Sequence, residues 1–418
     1  MRRYDLDWLR VIVFALLIFY HIGMLFVPWS FHIKNNITYQ WLVYPMWFLN
    51  QWRLPLLFVI SGMGTFYSLN KRTGGQYLRE RFIRLYIPLT VGMLFIVPPQ
   101  VYVERLYFGQ FTGSYLQFWP AEAFIGSYPE GNISWHHLWF LPYLLIYSVV
   151  LSPLFLYIRR HPDNNLSTLL RRCLQKPLGW YVFAALLYLP EAFLEPYFPV
   201  THALVGDWFN LTSSMLLFFF GFLLISVSDV FWPKVVQYRR IFLFTGIASF
   251  ALLIAITHLF EDSWCRHYIE AAIKVVNLWT WVLAMFGLAA KHLNKNSRVL
   301  SYANEAVYPF YILHQSVMMV IAFYIVDLNW GLACKFTLLL IGTFGISWIL
   351  YEFGIRRYTW VRPLFGLKLK KKYNRIDIFF NRSISVNSYL NTFTTIYVGK
   401  DIWALSANWK SMSSSPNW

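Results

Sequence analysis

The amino-acid sequence predicts an all-α integral membrane protein, a helical bundle with about ten transmembrane segments and both termini in the cytoplasm. Two features of composition lead to this fold class, and the placement of charge gives its orientation. Of 418 residues, 58% are hydrophobic and 13% are charged, whereas an average soluble domain is about 45–50% apolar and about 25% charged. Aromatic residues make up 21% of the chain, as expected where helix ends meet lipid headgroups. These values exclude a disordered chain, a disulfide scaffold and an ordinary soluble enzyme.

Ten apolar stretches supply the predicted spans, each of roughly the length that a helix needs to cross a bilayer. They lie at residues 9–28, 43–68, 85–103, 138–158, 179–195, 210–228, 241–260, 270–290, 304–326 and 332–354. The first lacks a small-residue cleavage site, so we interpret it as an uncleaved span and not as a signal peptide. Residues 1–366 are predicted to form one membrane domain, and residues 367–418 a basic, then Asn- and Ser-rich cytoplasmic tail that is poorly ordered.

Lys and Arg residues are concentrated in alternate gaps between these stretches. One set of gaps holds nearly all of them, and the other set holds only Lys34, Arg105 and Arg266. By the positive-inside rule, the basic set of gaps faces the cytoplasm. The net charge of +17 therefore reflects topology, and no nucleic-acid partner is needed to explain it.

Ionisable residues inside the spans predict a polar cavity, because a charge buried in lipid is costly. His21 follows Arg10 by eleven residues, which on a helix is about 16 Å along one face. Arg53 lies inside the second span, and His314 lies in the ninth at a depth similar to that of His21. For single residues, snorkelling of Arg10 or a purely structural hydrogen bond of His21 is the alternative.

Such a cavity suits acyl transfer to an alcohol, because a neutral histidine can accept the proton of the attacking hydroxyl. Arginines at the cytoplasmic mouth can clamp phosphate groups, which suits an acyl-CoA donor. The sequence contains no G-x-S-x-G elbow, which favours direct transfer over a covalent acyl-enzyme, and no P-loop. The H-x4-D spacing of His202 and Asp207, which is also found in glycerolipid acyltransferases, falls in an outer gap. We interpret it as a chance match.

The three cysteines, Cys173, Cys265 and Cys334, are far apart and form no C-x-x-C pair. They predict neither a disulfide framework nor a zinc site. His136 and His137, flanked by tryptophans, are more typical of a membrane interface than of metal ligands. We therefore expect no metal and no permanently bound cofactor.

Six short motifs, in order along the chain, make the sequence resemble the membrane acyltransferase-3 family over about residues 4–366. They are Asp7-Trp8-Leu9-Arg10 with His21, Arg53 with Phe58-Val59-Ile60-Ser61-Gly62, Arg81-Phe82-Ile83-Arg84 leading to Pro88, His137-Leu138-Trp139-Phe140-Leu141, Tyr311-Ile312-Leu313-His314-Gln315, and Tyr351-Glu352. Within the family, the Arg53 context and Leu350-Tyr351-Glu352 are most similar to the branch that contains bacterial periplasmic glucan succinyltransferases.

The resemblance implies that an acyl group, acetyl or succinyl, moves from cytoplasmic acyl-CoA to a hydroxyl of an extracytoplasmic glycan at the bacterial inner membrane. It implies that His21 is the general base and that Arg10 contacts the donor. Substrate or donor binding is expected of a further set of residues: Arg53, Arg81, Arg84, His137, His314 and Glu352.

Alternatives remain open at this point. A transporter or flippase for an envelope lipid or glycan would use the buried histidines as a proton relay, although the sequence shows no inverted repeat. Arg81 and Arg84 are explained equally well by topology alone. Glu352 has a simpler explanation too, because Arg356 and Arg357 follow it at the spacing of an ion pair on a helix surface.

Overall fold

The fold is all-helical, as the sequence predicts. The computed structural model describes residues 2–369, so the predicted tail, apart from 367–369, lies outside the described residues. Within this range the only β-type pairing is one bridge between Ser127 and Ile133. The prediction of an all-α membrane bundle is confirmed.

Fourteen α-helices follow one another along the described chain. They are α1 Tyr4–Met24, α2 Val43–Leu69, α3 Gly74–Val91, α4 Val97–Tyr107, α5 Tyr115–Ala121, α6 Phe140–Val150, α7 Ser152–Arg160, α8 Asn165–Leu174, α9 Val182–Phe193, α10 Trp208–Ser226, α11 Ser228–Leu259, α12 Trp264–His292, α13 Arg298–Ile325 and α14 Leu332–Ile349. Short 3-10 turns precede α2, α6 and α9, and a π-helical turn, Leu350–Ile355, extends α14.

Seven helices of the described chain are long and apolar enough to cross a membrane: α1, α3 with α4, α10, α11, α12, α13 and α14. An eighth span is obtained if α6 and α7, which are bent by 50° at Leu151, are counted together. The two remaining predicted spans correspond to α2, which carries Asn50, Gln51 and Arg53 in its middle, and to α9, which has only 12 residues. By length and apolarity, the structure therefore supports seven or eight of the ten predicted spans.

Helix starts follow capping residues in the sequence. Thr73 forms a capping box with Gln76 at the start of α3, in which each residue's side chain accepts from the other's backbone N–H. Ser263 and Ser297 cap α12 and α13 in the same way, each accepting one backbone N–H from its first turn. These side chains satisfy N–H groups that a helix start leaves without an intrahelical partner.

The gaps rich in Lys and Arg lie together at one end of the bundle, which we call the basic end. Hydrogen bonds between different basic gaps join Arg72 to Arg159, Arg84 to Gly366, Arg171 to Asp229 and Tyr4 to Asn294. The alternate gaps and the span ends beside them meet at the opposite end, where hydrogen bonds join Trp135 to His202, Tyr44 to His258, Ala192 to His267 and Asn35 to Lys335. The two sets of gaps that differ in charge along the sequence thus lie at opposite ends of the bundle.

A π-helical turn, Gly92–Ile96, joins α3 to α4. Pro98 and Pro99 follow it and cannot donate backbone hydrogen bonds to the preceding turn. The Ser316 hydroxyl of α13 donates to the Ile96 carbonyl and so satisfies one acceptor of the irregular turn. This contact fixes α4 against the part of α13 that carries His314.

Candidate active site

Two histidines that are 293 residues apart in the chain are in direct contact inside the bundle. His21, near the end of α1, places its Nδ1 2.9 Å from Nε2 of His314 on α13. The two imidazole rings are nearly parallel, with an angle of 6° between their planes. His314 is fully buried, so the pair lies inside the protein and not on its lipid-facing surface.

Hydrogen-bond partners assign the neutral tautomer of each ring. His314 Nδ1 lies 2.7 Å from the Tyr311 carbonyl oxygen. A carbonyl only accepts, so this nitrogen must carry the proton and Nε2 of His314 must be an acceptor. His21 Nδ1 therefore donates to His314, which leaves Nε2 of His21 as the ring nitrogen with a free lone pair. That Nε2 has no hydrogen-bond partner among residues 2–369.

His137 joins this pair from the 3-10 turn that precedes α6. Its Nε2 donates to the Ile312 carbonyl oxygen at 2.9 Å, and its Nδ1 lies 3.4 Å from the Gln100 side-chain nitrogen. Its ring meets that of His314 edge to face at 5.1 Å. Two histidines are thus anchored to consecutive backbone carbonyls of α13.

Arg53 of α2 is 2% exposed, and its guanidinium lies over the ring of Tyr20, with Cζ 3.6 Å from the ring centroid. Nε and Nη1 of this guanidinium are buried and have no hydrogen-bond partner in the part of the chain that the structure describes. Tyr20 immediately precedes His21, so the stacking contact holds the cation beside the histidine pair.

A cavity of about 1050 Å³ lies against these residues, and its walls include His21, Arg53 and His137. The loops that complete it, within residues 30–32, 127–136 and 200–203, all belong to the opposite end of the bundle. Tryptophans form part of the wall: Trp47, Trp135 and Trp139. His21, but not His314, therefore faces a large cavity on the side away from the basic end.

Arg10 lies toward the basic end on the same helix as His21. Its Nη1 donates to Asp7 at 3.3 Å and to Asn304 at 3.1 Å. The positive charges of Arg81 and Arg84 are close enough to repel that of Arg10. Two further hydrogen bonds of this arginine cluster run from Arg81 to Thr65 and from Arg84 to Gly366.

Aromatic residues separate the arginine cluster from His21. Phe14 meets Tyr311 edge to face at 5.5 Å, and Tyr311 stacks on Tyr308, whose hydroxyl donates to the Arg84 carbonyl. A small pocket of about 30 Å³ lies between Phe14 and His21, with room for about one or two water molecules. Phe14, Tyr308 and Tyr311 thus lie between the arginine cluster and the histidine pair.

Glu352, another expected site residue, forms hydrogen bonds with neither the histidine pair nor the arginine cluster. It accepts from Arg356 at 2.9 Å and from the Tyr302 hydroxyl at 2.9 Å. This is the helix-surface pairing that the sequence offered as the simpler explanation. Glu352 lines neither the large cavity nor the small pocket beside His21.

Sequence reasoning missed a polar cluster at the outer rim of the cavity. His32 Nδ1 lies 2.9 Å from Glu104, and the Tyr128 hydroxyl also donates to Glu104 at 2.9 Å. His136 packs against His32 and has a φ of 39°, a backbone conformation that non-glycine residues rarely adopt. These residues are far apart in the sequence, and the sequence singles out only His136, as a residue of the membrane interface.

The H-x4-D match has a structural role. The Asp207 carboxylate accepts the backbone N–H groups of Thr201 and His202 and the side chains of Tyr143 and Asn210. It binds no imidazole nitrogen of His202. Across residues 2–369, no group of three or more His, Cys, Asp or Glu side chains is placed to hold a metal ion.

Comparison with known proteins identifies the family. The sequence pattern of the acyltransferase-3 family, described as an acyltransferase domain, matches residues 3–352. The chain belongs to the acyltransferase-3 family. The match includes the histidine pair, His137, Arg53 and the arginine cluster, so the chain is a multi-pass membrane protein of an acyltransferase family.

Several curated relatives carry the name "Glucans biosynthesis protein C". Those of Escherichia coli (strain K12) and Shigella dysenteriae serotype 1 (strain Sd197) are 23% identical over 370 residues. That of Salmonella schwarzengrund (strain CVM19633) is 24% identical over 366 residues. Each alignment covers 85% of this chain and 92% of the relative. No solved structure matches the chain.

Proposed function

We propose that this protein transfers an acyl group, acetyl or succinyl, from cytoplasmic acyl-CoA to a hydroxyl of an extracytoplasmic glycan, with His21 as the general base. The observation that carries the proposal is the hydrogen-bond chain from His21 through His314 to the Tyr311 carbonyl. It leaves the Nε2 lone pair of His21 free on a ring that lines the cavity. A base for alcohol activation needs such an oriented, unprotonated nitrogen.

The arginine cluster supports entry of the donor from the basic end. Arg10, Arg81 and Arg84 bring three positive charges together without three matching carboxylates, since Arg10 is paired with Asp7 and Arg84 with Glu80. Guanidinium groups bind phosphate groups bidentately, so this mouth suits the diphosphate and phosphate groups of CoA. The thioester would then have to pass Phe14 and Tyr311 to reach His21.

The large cavity supports entry of the acceptor from the opposite end. Its volume of about 1050 Å³ has room for more than one sugar ring, and tryptophan side chains can pack on the apolar faces of such rings. The name of the relatives refers to glucans, and we accordingly propose a glucan as the acceptor. The enzyme would lie in the bacterial inner membrane with the basic end and both termini in the cytoplasm.

In the proposed step, the acceptor hydroxyl oxygen attacks the thioester carbonyl carbon while its proton moves to Nε2 of His21. The carbonyl electron pair moves onto oxygen, and its return breaks the carbon–sulfur bond. The CoA thiolate leaves and takes the proton from the imidazolium of His21. One acyl group is transferred and one thiol is released, with no permanently bound cofactor.

The test is transfer of radiolabelled acyl groups to envelope glycans, in membranes that contain the wild type, His21→Ala or His292→Ala. Acetyl-CoA and succinyl-CoA are supplied in parallel, each labelled in its acyl group. Removing a general base is expected to lower the rate by roughly 10²–10⁴-fold. His292 is exposed and outside the cavity, so His292→Ala should transfer at the wild-type rate.

Wild-type transfer by His21→Ala would refute the assignment of the base. Movement of intact substrate across the membrane, with no requirement for acyl-CoA, would instead support the transporter or flippase that the sequence left open. The labelled donor that is used identifies the acyl group.

A further inference from the structure

Arg53 differs from the other cations that the described chain buries. Lys335, which is 1% exposed, donates to Asn35 at 2.7 Å and to the Val326 carbonyl at 2.6 Å. Arg362, which is 8% exposed, forms an ion pair with Glu305 at 2.8 Å. Arg53 is 2% exposed, yet within residues 2–369 its Nε and Nη1 have no acceptor.

A buried guanidinium without acceptors destabilises a protein, because it has lost its hydration and gained no hydrogen bonds in return. Its contact with the Tyr20 ring offsets part of this loss through a cation–π interaction. That contact leaves the N–H groups in the guanidinium plane free. The arrangement is therefore complete only when an anion or a strongly polarised oxygen binds at these N–H groups.

The position of Arg53 restricts which oxygen this is. Arg53, Tyr20 and His21 line one cavity, and Tyr20 and His21 are adjacent in the chain. The oxygen that Arg53 binds therefore lies close to the atom that His21 deprotonates. In acyl transfer, the carbonyl oxygen of the acyl group is the one that gains negative charge at that place.

We propose that Arg53 stabilises the oxyanion of the tetrahedral intermediate and is thus a second catalytic residue. The inference rests on the proposed acyl transfer. As the acceptor oxygen bonds to the carbonyl carbon and its proton moves to His21, the carbonyl oxygen becomes negatively charged and accepts from the Arg53 N–H groups. When the carbon–sulfur bond breaks, the charge leaves this oxygen and the hydrogen bonds weaken. Because the N–H groups of Arg53 are already desolvated, these hydrogen-bond donors need little reorganisation during this change.

The same guanidinium could bind a carboxylate at the far end of a succinyl group, and kinetics with two donors separates the two roles. We would measure kcat and KM of the wild type, Arg53→Gln and Arg53→Lys with acetyl-CoA and with succinyl-CoA. A hydrogen-bond donor to the oxyanion contributes equally to transfer of an acetyl group and of a succinyl group. Arg53→Gln should therefore lower kcat by roughly 10²–10³-fold with each donor that the wild type uses, and change KM much less.

A loss confined to succinyl-CoA, or a rise in KM with kcat unchanged, would overturn the oxyanion role. If the wild type uses only succinyl-CoA, the two roles are separated by whether Arg53→Gln mainly lowers kcat, as the oxyanion role requires, or mainly raises KM. Arg53→Lys keeps the charge but not the planar N–H groups, so it should recover only part of the lost kcat. Full recovery would show that charge, and not directed hydrogen bonding, is what the site needs, and would also overturn the proposal.

Stability measurements separate this role from a structural one. Because Nε and Nη1 of Arg53 have no acceptor within residues 2–369, Arg53→Gln should unfold in detergent at the wild-type temperature or above it. Lys335→Gln is the matched control, since it removes a buried cation that has acceptors, and it should unfold at a lower temperature and retain the kcat of the wild type. A fall in stability of Arg53→Gln as large as that of Lys335→Gln would overturn the proposal.

The same experiments separate failure of the oxyanion role of Arg53 from failure of the proposed acyl transfer. If wild-type membranes transfer acyl groups and His21→Ala does not, while Arg53→Gln keeps the wild-type kcat, the oxyanion role alone is refuted. If wild-type membranes transfer no label, both proposals are refuted together.

Discussion

His21 is oriented by its neighbour and not by its own helix. Nδ1 of His21 donates a hydrogen bond to Nε2 of His314, and Nδ1 of His314 donates one to the Tyr311 carbonyl oxygen. A histidine that is held in one tautomer by a second group is the arrangement that makes an imidazole an efficient base in hydrolases. His314 is accordingly a positioning residue, because it acts through His21.

The role of His314 predicts a difference between two substitutions. His314→Leu removes the acceptor for His21 Nδ1–H and is expected to lower kcat by about 10-fold or more. His314→Gln retains an acceptor oxygen on a side chain of similar reach and should lose less. Initial rates at saturating donor and acceptor measure the difference. Equal rates of the two variants would show that His21 keeps its orientation without an acceptor at position 314.

His202 makes stability depend on pH at the opposite end of the bundle. Its ring stacks on Trp139, with centroids 4.1 Å apart, and burial lowers the pKa of His202 to about 4 although Asp207 opposes the shift. An unfolded histidine takes up its proton near pH 6.5. Between about pH 6.5 and 4 the unfolded state thus binds more protons, so the free energy of unfolding decreases as pH falls through this range.

Substitution of His202 should reduce this dependence. Asn is the suitable replacement, because His202 has a φ of 59° and Asn tolerates that conformation. Unfolding temperatures in detergent at pH 7, 5.5 and 4.5 should fall less for His202→Asn than for the wild type. His161→Asn, at an exposed position, is the control and should behave like the wild type. An unchanged pH dependence in His202→Asn would contradict the assignment.

Helices α2 and α10 are in backbone contact at two glycines. A Cβ atom added at Gly62 would lie 1.9 Å from the Phe218 carbonyl oxygen, and one added at Gly221 would lie 2.0 Å from the Val59 carbonyl oxygen. Small residues allow such backbone contact between membrane helices. The contact fixes the helix that carries Arg53, so its effect extends to the cavity.

The contact predicts opposite effects of the same substitution at two positions of α2. Gly62→Ala forces the helices apart and is expected to destabilise the protein by about 1–3 kcal/mol or more. Gly64→Ala places its methyl group in open space and should be neutral or stabilising by up to about 1 kcal/mol, because Ala favours the helix. Thermal unfolding in detergent measures both. A Gly62→Ala protein as stable as Gly64→Ala would show that the close approach is absent in solution.

On the scale of the whole molecule, charge separates two ends of one bundle, and in the proposed reaction each end admits one substrate. The arginine cluster lies at the basic end, and the loops around the large cavity lie at the opposite end. The native cysteines report on this sidedness, because Cys265 lies in an outer gap, Cys334 closely follows another outer gap, and Cys173 lies in a basic gap. Cys265 and Cys334 are exposed, and Cys173 is partly exposed.

Labelling of single-cysteine variants tests the orientation. In spheroplasts, a membrane-impermeant maleimide should label the variant that retains only Cys265. The variant that retains only Cys173 should react only after permeabilisation, because the positive-inside rule places its gap in the cytoplasm. The reverse pattern would mean that the basic end faces outward, and the proposed side of acyl-CoA entry would then be wrong.

The sequence by itself determines the helical class, the two sets of gaps and the presence of His21, Arg53 and His314 inside apolar segments. Hydropathy and charge are read along the chain, and the bilayer converts them directly into spans and sidedness. They predict less well where polar residues interrupt a span, as Arg53 does in α2, or where the helix is short, as in α9. The count of ten spans accordingly exceeds the seven or eight that length and apolarity support.

Only the tertiary structure decides which ionisable groups meet. His21 and His314 lie at similar depths in the membrane, which allows them to be neighbours. Their contact also depends on how α1 and α13 are rotated and packed. The resemblance also implies that Glu352 binds substrate or donor, yet in the structure Glu352 pairs with Arg356. The cluster of His32, Glu104 and His136 joins a loop, helix α4 and the 3-10 turn before α6, which have no regular spacing in the sequence. Side-chain packing between distant segments decides all three cases, and no local pattern of residues encodes it.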